Sequence, residues 1–311
     1  MKPTKRPKAE DRQILLRLTV LILFYEGLSA CTSRPQVASL ALLGDIVLGR
    51  GVLPTASSLS YLKPDLSTAD LALANLESPL APLPPPISST YNLCAPSARA
   101  SLLAVWSLDM LSLANNHQLD CGSDGPSMTR SALAAVGITP LGPGSEPVYQ
   151  DVHGVHLAFL AFDDVSSPLD IDAATQAIRS ARQTSAVVIV AMHWGEEYQG
   201  GASERQVTLA QEMSAAGAAL IWGAHPHVLQ PAAWIQIGRS RTLVLYSLGN
   251  ALFDQEGLAD TRRSALVSVT VSNQGVQSVH IMPFMIDPAK SRVTEPDTIS
   301  AEKIRARINL P

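Results

Sequence analysis

Apolar stretches of strand length recur along the chain from residue 37 onward. Several are continuous rather than alternating, which is typical of strands that are buried on both faces of a sheet. Segments with helical spacing lie between them, and this alternation predicts a layered α/β fold. The predicted strands are residues 37–43, 71–74, 110–113, 156–162, 187–192, 220–222, 243–246 and 265–271. The predicted helices are residues 97–106, 128–136, 171–185, 203–216 and 299–308.

Two segments stand apart from this alternation of strands and helices. Residues 80–89 contain four prolines, which cannot continue a helix or a central strand because proline lacks the backbone N–H donor. We expect an extended loop there. Residues 288–311 are polar and predict a peripheral C-terminal tail, so a single domain is expected over residues 39–287.

The N-terminus has the pattern of a bacterial export signal. Six basic residues stand among the first seventeen, and a short apolar run follows at residues 18–25. This run is well short of the roughly 20 residues that span a bilayer, which favours a signal peptide over residues 1–31. Its end, Leu28-Ser29-Ala30-Cys31, resembles a lipobox, whose cysteine becomes lipidated. We therefore expect residues 32–38 to tether an exported protein to the outer face of a bacterial membrane, with an uncleaved N-terminal anchor as the alternative.

Composition limits the possible partners. With 46% hydrophobic and 16% charged residues, the chain has enough apolar surface to form a core, which excludes disorder for most of it. The 23 basic and 27 acidic residues give a formal net charge of -4, so no basic excess favours nucleic acid as a partner. If Cys31 is lipidated, Cys94 and Cys121 remain. They would form a disulfide in an oxidising compartment or lie apart as two small buried side chains.

Six of the predicted strands end in acidic, amide or imidazole side chains. In α/β sheets, sites form beyond the carboxyl ends of the strands, so we expect these side chains to converge. Together they are suitable ligands for Mn²⁺, Fe or Zn²⁺, and no thiolate takes part. The candidate residues are Asp45, Glu77, Asn116, His117, Asp120, His193, His225 and His227.

Each candidate also has a purely structural interpretation. Asp45 would cap a helix, Glu77 would be a surface charge and Asn116 would satisfy a turn through its side chain. The three later histidines would be hydrogen-bonded core residues. Asp120 is expected to orient His117 or a loop rather than to bind a metal.

The motifs around these residues, taken in order, resemble those of the CapA family of capsule and poly-γ-glutamate synthesis proteins. The resemblance covers about residues 39–282. It implies a calcineurin-like metallophosphoesterase fold, a single-domain α/β/β/α sandwich. The matching motifs are Leu43-Gly44-Asp45-Ile46-Val47-Leu48-Gly49-Arg50, Ala74-Asn75-Leu76-Glu77-Ser78-Pro79, Leu113-Ala114-Asn115-Asn116-His117-Gln118-Leu119-Asp120, His193-Trp194-Gly195, Gly223-Ala224-His225-Pro226-His227 and Tyr246-Ser247-Leu248-Gly249-Asn250.

The resemblance also implies roles for individual residues. Asp45 would bind a first metal, Glu77 would bridge two metals and Asn116 would bind the second. His193, His225 and His227 would be the remaining ligands. His117, oriented by Asp120, would act as a general acid or orient the substrate, and Arg50 would clamp an anionic substrate.

This sequence departs from the superfamily at Val47, where a metal-binding histidine is usual. Because one ligand of the first metal is therefore missing, either one or two bound ions are expected.

Three functions remain open at this point. The first is a role in capsule or poly-γ-glutamate biosynthesis or export, with an anionic cell-surface polymer or its synthesis complex as partner. The second is a metal-dependent hydrolase of phosphoesters or amides. The third is a lipoprotein that binds polymer without turning it over.

Overall fold

Two β-sheets carry most of the chain, and the computed structural model describes residues 36–84, 91–185 and 187–310. The expected signal peptide, Cys31 and most of the tether lie outside these residues, as does part of the proline-rich loop. No helix in the described ranges is long and apolar enough to cross a membrane.

The described residues form sixteen strands and six α-helices, with 3₁₀ turns at Ser97–Arg99, Ala259–Arg262 and Pro288–Lys290. The strands are β1 (Ala38–Ile46), β2 (Leu71–Leu76), β3 (Leu80–Ala81), β4 (Ala95–Pro96), β5 (Met110–Ser112), β6 (Thr139–Leu141), β7 (Gly144–Val152), β8 (Val155–Asp163), β9 (Val187–His193), β10 (Leu220–Ala224), β11 (Ala232–Ile237), β12 (Ser240–Leu245), β13 (Asn250–Leu252), β14 (Arg263–Ser272), β15 (Gly275–Asp287) and β16 (Arg292–Thr294). The helices are α1 (Lys63–Thr68), α2 (Ala100–Val105), α3 (Gly125–Ala134), α4 (Ile171–Thr184), α5 (Glu204–Ala216) and α6 (Thr298–Ile308).

The first sheet has the order β16-β15-β14-β1-β2-β5-β6, and β13 adds to β1. Its strands β1, β2, β5 and β6 are parallel, whereas β14, β15 and β16 run antiparallel. The second sheet has the order β11-β12-β10-β9-β8-β7, with a parallel centre and antiparallel edges. The parallel strands of each sheet therefore bring their carboxyl ends to one edge.

Alternate residues of a single strand enter different cores, which defines the layers. Leu40 and Leu42 of β1 pack between the two sheets, together with Leu157 of β8. Ala41 of β1 packs instead against the helices α1, α2 and α3 on the outer face of the first sheet. Ala158 of β8 likewise packs against α4 and α5 on the outer face of the second sheet. Because strand side chains alternate between faces, two stacked sheets with a helical layer on each side result, which is the expected α/β/β/α sandwich.

The predicted elements all appear, with ends that differ by a few residues. Several elements were not predicted from the sequence, among them the edge strands β7 and β11, the strand β15 and the helix α1. The residues of β11 and β15 are largely exposed or only partly buried, so the apolar pattern that marks central strands is weak there.

The C-terminal tail was expected to be peripheral, but its described residues, 288–310, pack against the domain. Its strand β16 pairs with β15, and Ile304 and Ile308 of α6 are almost fully buried against the core between the sheets. The two isoleucines lie one helical turn apart, whereas the third isoleucine of the helix, Ile299, is exposed. Their spacing therefore provides one apolar stripe, which is sufficient for docking.

A disulfide joins Cys94 and Cys121, which settles the alternative left open by the sequence. It lies beside a second set of links between the same two segments. Asp120 accepts a hydrogen bond from the backbone N–H of Leu93 at 2.7 Å, and its carbonyl accepts one from Asn92 at 2.9 Å. The disulfide thus fixes the loop that carries Asp120.

Replacing both Cys94 and Cys121 by serine should lower the free energy of unfolding by about 3 kcal/mol. The disulfide closes a loop with a sequence separation of 27, and the reduced unfolded chain gains the corresponding freedom. Denaturant unfolding of the oxidised protein, the reduced protein and the double variant would measure this. We expect the reduced protein and the double variant to have the same free energy of unfolding, below that of the oxidised protein. Equal stability of all three would contradict the prediction.

Candidate metal centre

The predicted site residues converge at the edge where the parallel strands of both sheets end. Asp45 is the last residue but one of β1, His193 ends β9 and His225 follows β10 directly. Glu77 follows β2. All four side chains are buried, although each of them can carry a charge. Buried polar groups of this kind need partners, and their surroundings show which partners are present.

Glu77 lies at the centre of the cluster and is fully buried. Its Oε1 atom lies 3.7 Å from His193 Nε2, 3.7 Å from His227 Nε2 and 4.0 Å from His117 Nε2. These distances are too long for hydrogen bonds. Neither carboxylate oxygen has a hydrogen-bond partner among the described residues. A carboxylate that is buried, surrounded by imidazoles and hydrogen-bonded to none of them is the arrangement expected around a cation.

Asp45 is the second carboxylate of the cluster, and hydrogen-bond donors hold it in place. Its Oδ1 accepts a hydrogen bond from Asn75 Nδ2 at 2.7 Å, and its Oδ2 accepts one from the backbone N–H of His225 at 3.1 Å. Asn75 in turn accepts a hydrogen bond from Asn115 at 3.3 Å. This chain of amides fixes the carboxylate of Asp45 beside His227, whose Nδ1 lies 3.4 Å away.

Asn116 and His193 meet from different sheets. The Oδ1 atom of Asn116 lies 2.8 Å from His193 Nε2, so the two candidate ligand atoms for a second ion are already adjacent. His225 approaches His193 with a ring-centroid separation of 4.8 Å, and its buried Nδ1 has no hydrogen-bond partner among the described residues. His193 therefore lies next to both Asn116 and His225.

The turn His225-Pro226-His227 has an unusual backbone. Both histidines have positive φ, 96° for His225 and 58° for His227, a region that residues other than glycine rarely adopt. Such strain persists only where the surrounding structure enforces it, and it is concentrated at functional sites. The turn directs both imidazoles into the cluster.

The orientation of the His227 ring is fixed by Asn250. The amide nitrogen of Asn250 donates to Gln255 and to the carbonyl of Thr261, both at 3.0 Å. Its oxygen is left to accept from His227 Nδ1, also at 3.0 Å. Nε2 of His227 therefore faces Glu77, as is typical for a metal-binding histidine whose other nitrogen is hydrogen-bonded.

His117 lies at the more exposed side of the cluster, with 17% of its side chain exposed. Its Nδ1 is 2.8 Å from Asp120 Oδ2, so the sequence-based expectation that Asp120 orients His117 agrees with the geometry. Burial alone would lower the pKa of His117, but the hydrogen bond to Asp120 and the charge of Glu77 raise it above its ordinary value. The ring can therefore hold a proton at Nε2, facing the site.

Arg50 lies at the rim, and the structure pairs it with Asp254. The guanidinium donates to both carboxylate oxygens of Asp254 and lies over the ring of Phe253, 5.1 Å from its centroid. The backbone N–H of Gly51 donates to the same carboxylate. Asp254 thus already binds part of the Arg50 guanidinium, which the sequence analysis expected to bind a substrate anion. The Arg50 side chain remains 24% exposed.

The pKa values show that burial opposes charge on several groups of the cluster, including His193, whose pKa is lowered. Burial raises the pKa of Glu77 to about 7. Burial alone would lower the pKa of His227, but Glu77 and Asp45 outweigh it and raise it to about 9. Burial and the neighbouring charge of His227 lower the pKa of His225 to about 4, so that ring is neutral and available as a ligand. A proton on His227 balances the carboxylates here, and a divalent cation would balance them more completely.

The residues present therefore fit a divalent metal. Two overlapping groups have ligand atoms within 4.8 Å of one another, Glu77 with His225 and His227, and Asp45 with Glu77 and His193. Two ligands on one ion, each about 2.1 Å from it, lie about 3.0–3.6 Å apart, close to the spacings around Glu77. Val47, which stands where a metal-binding histidine is usual, is buried in the apolar core, and its side chain has no atom that could bind a metal.

Some residues of the site were not among the candidates from the sequence. Asn75 connects Asp45, Asn115 and, at 3.4 Å, His193 Nδ1. Tyr198 has a positive φ of 64°, and its hydroxyl accepts a hydrogen bond from Gln255 at the rim. Asn75 could have been found, because it is a polar residue inside the largely buried apolar run Leu71–Leu76. No local sequence pattern identifies Tyr198 as a residue of the site.

The two stacked sheets with helices on both outer faces form a metallophosphoesterase-type fold. Among solved structures, the chain is similar in fold to a hypothetical protein from Thermus thermophilus, with a TM-score of 0.55 and 15% identity, covering 79% of this chain and 99% of that one. It is also similar to a putative 5'-nucleotidase from Staphylococcus aureus in complex with alpha-ketoglutarate, with a TM-score of 0.50 and 12% identity, covering 87% of this chain and 58% of that one. At these identities the likeness concerns the fold alone.

The sequence comparisons identify the family. The family model described as bacterial capsule synthesis protein PGA_cap matches residues 39–255, and the chain belongs to this family. It is 31% identical to the PGA biosynthesis protein CapA of Bacillus subtilis, over 88% of this chain and 78% of that protein. It is 28% identical to the capsule biosynthesis protein CapA of Bacillus anthracis, over 98% of this chain and 82% of that protein.

Proposed function

We propose that the protein acts in the synthesis or export of an anionic capsule polymer of the poly-γ-glutamate type, outside the cytoplasm. We further propose that Cys31 or the N-terminal apolar segment attaches it to the outer face of a bacterial membrane. The family and the names of its Bacillus relatives support the first part. The sequence pattern of residues 1–31 and the disulfide between Cys94 and Cys121, which suits an oxidising compartment, support the second.

One observation supports a metal-dependent role for the site within that function. The carboxylate of Glu77 is fully buried, faces three imidazoles and has no hydrogen-bond partner among the described residues. A charge left in this state would cost several kcal/mol, and a bound cation would offset that cost, which supports the proposal. The residues that would hold one or two ions of Mn, Fe or Zn are Asp45, Glu77, Asn116, His193, His225 and His227.

The remaining residues of the site are placed to act on a bound anion. A bound divalent ion would supply Lewis acidity to an oxygen of the substrate. His117, oriented by Asp120, can give the proton held at its Nε2 to a leaving group at the exposed side of the cluster. Arg50, with Asp254 holding it in place, presents its positive charge at the rim.

A hydrolase is a second candidate function, and the pairing of His117 with Asp120 favours it. A site that only bound polymer would have no need for a proton donor oriented at 2.8 Å by a carboxylate. The bond to be split would be a phosphoester or an amide of a cell-surface substrate. A non-catalytic assembly role remains the alternative. The two functions differ in whether His117 is needed as a proton donor.

Two histidine variants are expected to separate these functions. His227→Ala should bind Mn²⁺ about 100-fold more weakly, because it removes a ligand, and should stop polymer output in a producing strain that depends on this protein. His117→Ala should keep the metal but lower hydrolysis of phosphoester or γ-glutamyl substrates by a factor of about 100 or more. Elemental analysis, a substrate screen and polymer quantification would measure these effects.

The outcomes of this experiment have distinct meanings. Normal polymer output from His117→Ala, together with no hydrolysis by the wild-type protein, would remove the hydrolase and leave an assembly role. Full polymer output from His227→Ala would contradict the proposed metal-dependent function. His156→Ala is a suitable control, because that histidine is 62% exposed and pairs with Asp151 away from the cluster.

A further inference from the structure

A pocket of about 450 Å³ lies outside the metal centre, between α6 and the segment that follows His227. Part of its lining is apolar, contributed by Val228, Leu229 and Ile304. Its volume is in the range of pockets that bind small ligands. None of the candidate metal ligands lines it. Its chemistry is therefore separate from that of the cluster around Glu77.

The polar part of the lining carries a surplus of positive charge. Arg263, Lys303 and Arg307 contribute three cations, and Asp260 contributes one carboxylate. That carboxylate is shared, since Arg263 pairs with it closely and Arg307 Nη2 lies 3.6 Å from its Oδ2. Lys303 forms no ion pair with any described residue, and the buried Nε of Arg263 has no hydrogen-bond partner among them. The pocket is thus locally cationic in a chain whose formal net charge is -4.

We propose that this pocket binds a segment of a polycarboxylate chain, with oligo-γ-glutamate as the chemical class. Such a chain carries carboxylates separated by methylene groups and amides. Its carboxylates would pair with Lys303 and with the guanidiniums of Arg263 and Arg307, which suit bidentate recognition, while its methylene groups pack on Pro231 and Ala306, the more accessible apolar residues of the lining. This inference rests on the proposed function, because that function supplies the anionic polymer.

The position of the pocket gives it a role beside the metal centre. Val228 follows His227 directly in the chain. The carbonyl of Thr261, which lies between Asp260 and Arg263, accepts a hydrogen bond from Asn250, and Asn250 positions His227. A polymer segment held here would therefore lie against the same segments that carry and orient a metal ligand.

Isothermal titration calorimetry of the full-length protein with a short synthetic γ-linked oligoglutamate would test the proposal. Lys303→Ala should weaken binding about tenfold, since it removes a charged contact without breaking an existing ion pair. Arg305→Ala is the matched control, an exposed cation on the same helix that does not line the pocket, and its affinity should stay within about twofold of the wild type. Asp260→Asn should bind more tightly, because the internal carboxylate no longer competes for Arg263 and Arg307.

Several outcomes would overturn the proposal. They are equal losses in Lys303→Ala and Arg305→Ala, weaker binding by Asp260→Asn, and absence of binding by the wild type. Competition by inorganic phosphate at the same concentration as the oligomer would also overturn it, since it would indicate a general anion site. His227→Ala separates this inference from the proposed function. Oligomer binding that survives in this variant supports the pocket even if the metal-dependent function fails.

Discussion

Glu77→Gln is expected to weaken binding of Mn²⁺ by at least about 100-fold while leaving the fold intact. Glutamine has nearly the same volume as glutamate, so the packing is preserved. It replaces a carboxylate that has both oxygens free of hydrogen bonds with a neutral amide whose nitrogen cannot bind a cation. The centre of the cluster then no longer attracts an ion.

Thermal or denaturant unfolding with and without metal would show the difference. At a metal concentration 100 times the wild-type dissociation constant, metal should raise the free energy of unfolding of the wild-type protein by about 2.7 kcal/mol. For a variant that binds 100-fold more weakly, the increase should be only about 0.4 kcal/mol. Glu196→Gln is the matched control, because Glu196 is exposed and close in sequence to His193. If Glu77→Gln gained as much stability from metal as the wild type, the central role of Glu77 would be wrong.

Gly44→Ala is expected to destabilise the protein by about 4 kcal/mol or more. A Cβ atom at this position would lie 1.8 Å from the carbonyl oxygen of Gly249, far inside van der Waals contact. That oxygen cannot simply move away, because it accepts a hydrogen bond from the backbone N–H of Asp45 at 3.0 Å. The added methyl group would separate β1 from the segment that leads into β13.

The same substitution should also impair metal binding, because it displaces Asp45 and Asn250 together. Urea unfolding and Mn²⁺ titration of Gly44→Ala would measure both effects. Gly201→Ala is the control, since a Cβ atom there would meet no heavy atom within 4 Å. A Gly44→Ala protein with wild-type stability would show that the close approach of the two backbones is not required.

The sequence predicted the central strands because their apolar runs are dense and bounded by polar residues. The sequence predicts that Leu40, Ala41 and Leu42 are all buried, but it does not predict which core each side chain enters. In the structure, Leu40 and Leu42 enter the core between the sheets, and Ala41 enters the core under the helices. Edge strands such as β11 are half exposed, so their pattern is too weak to predict.

The candidate ligands were predictable because each lies at or shortly after the carboxyl end of a strand, and the parallel strand ends of one sheet meet at one edge. The partners of those ligands were not. Arg50 and Asp254 are 204 residues apart, and Asn75 reaches both Asp45 and His193. The pairing of β1 with β2 and β13 inside the first sheet brings the first-sheet positions together, and the stacking of the second sheet adds His193.

The sequence by itself determined the α/β architecture, the family and the set of side chains that can bind a cation, because these follow from local patterns and from motifs in a fixed order. The tertiary structure decided how those side chains are used. It left Glu77 without a hydrogen bond, fixed the ring of His227 through Asn250 and joined Cys94 to Cys121. Each of these depends on contacts between distant segments, and such contacts arise from packing that no local pattern encodes.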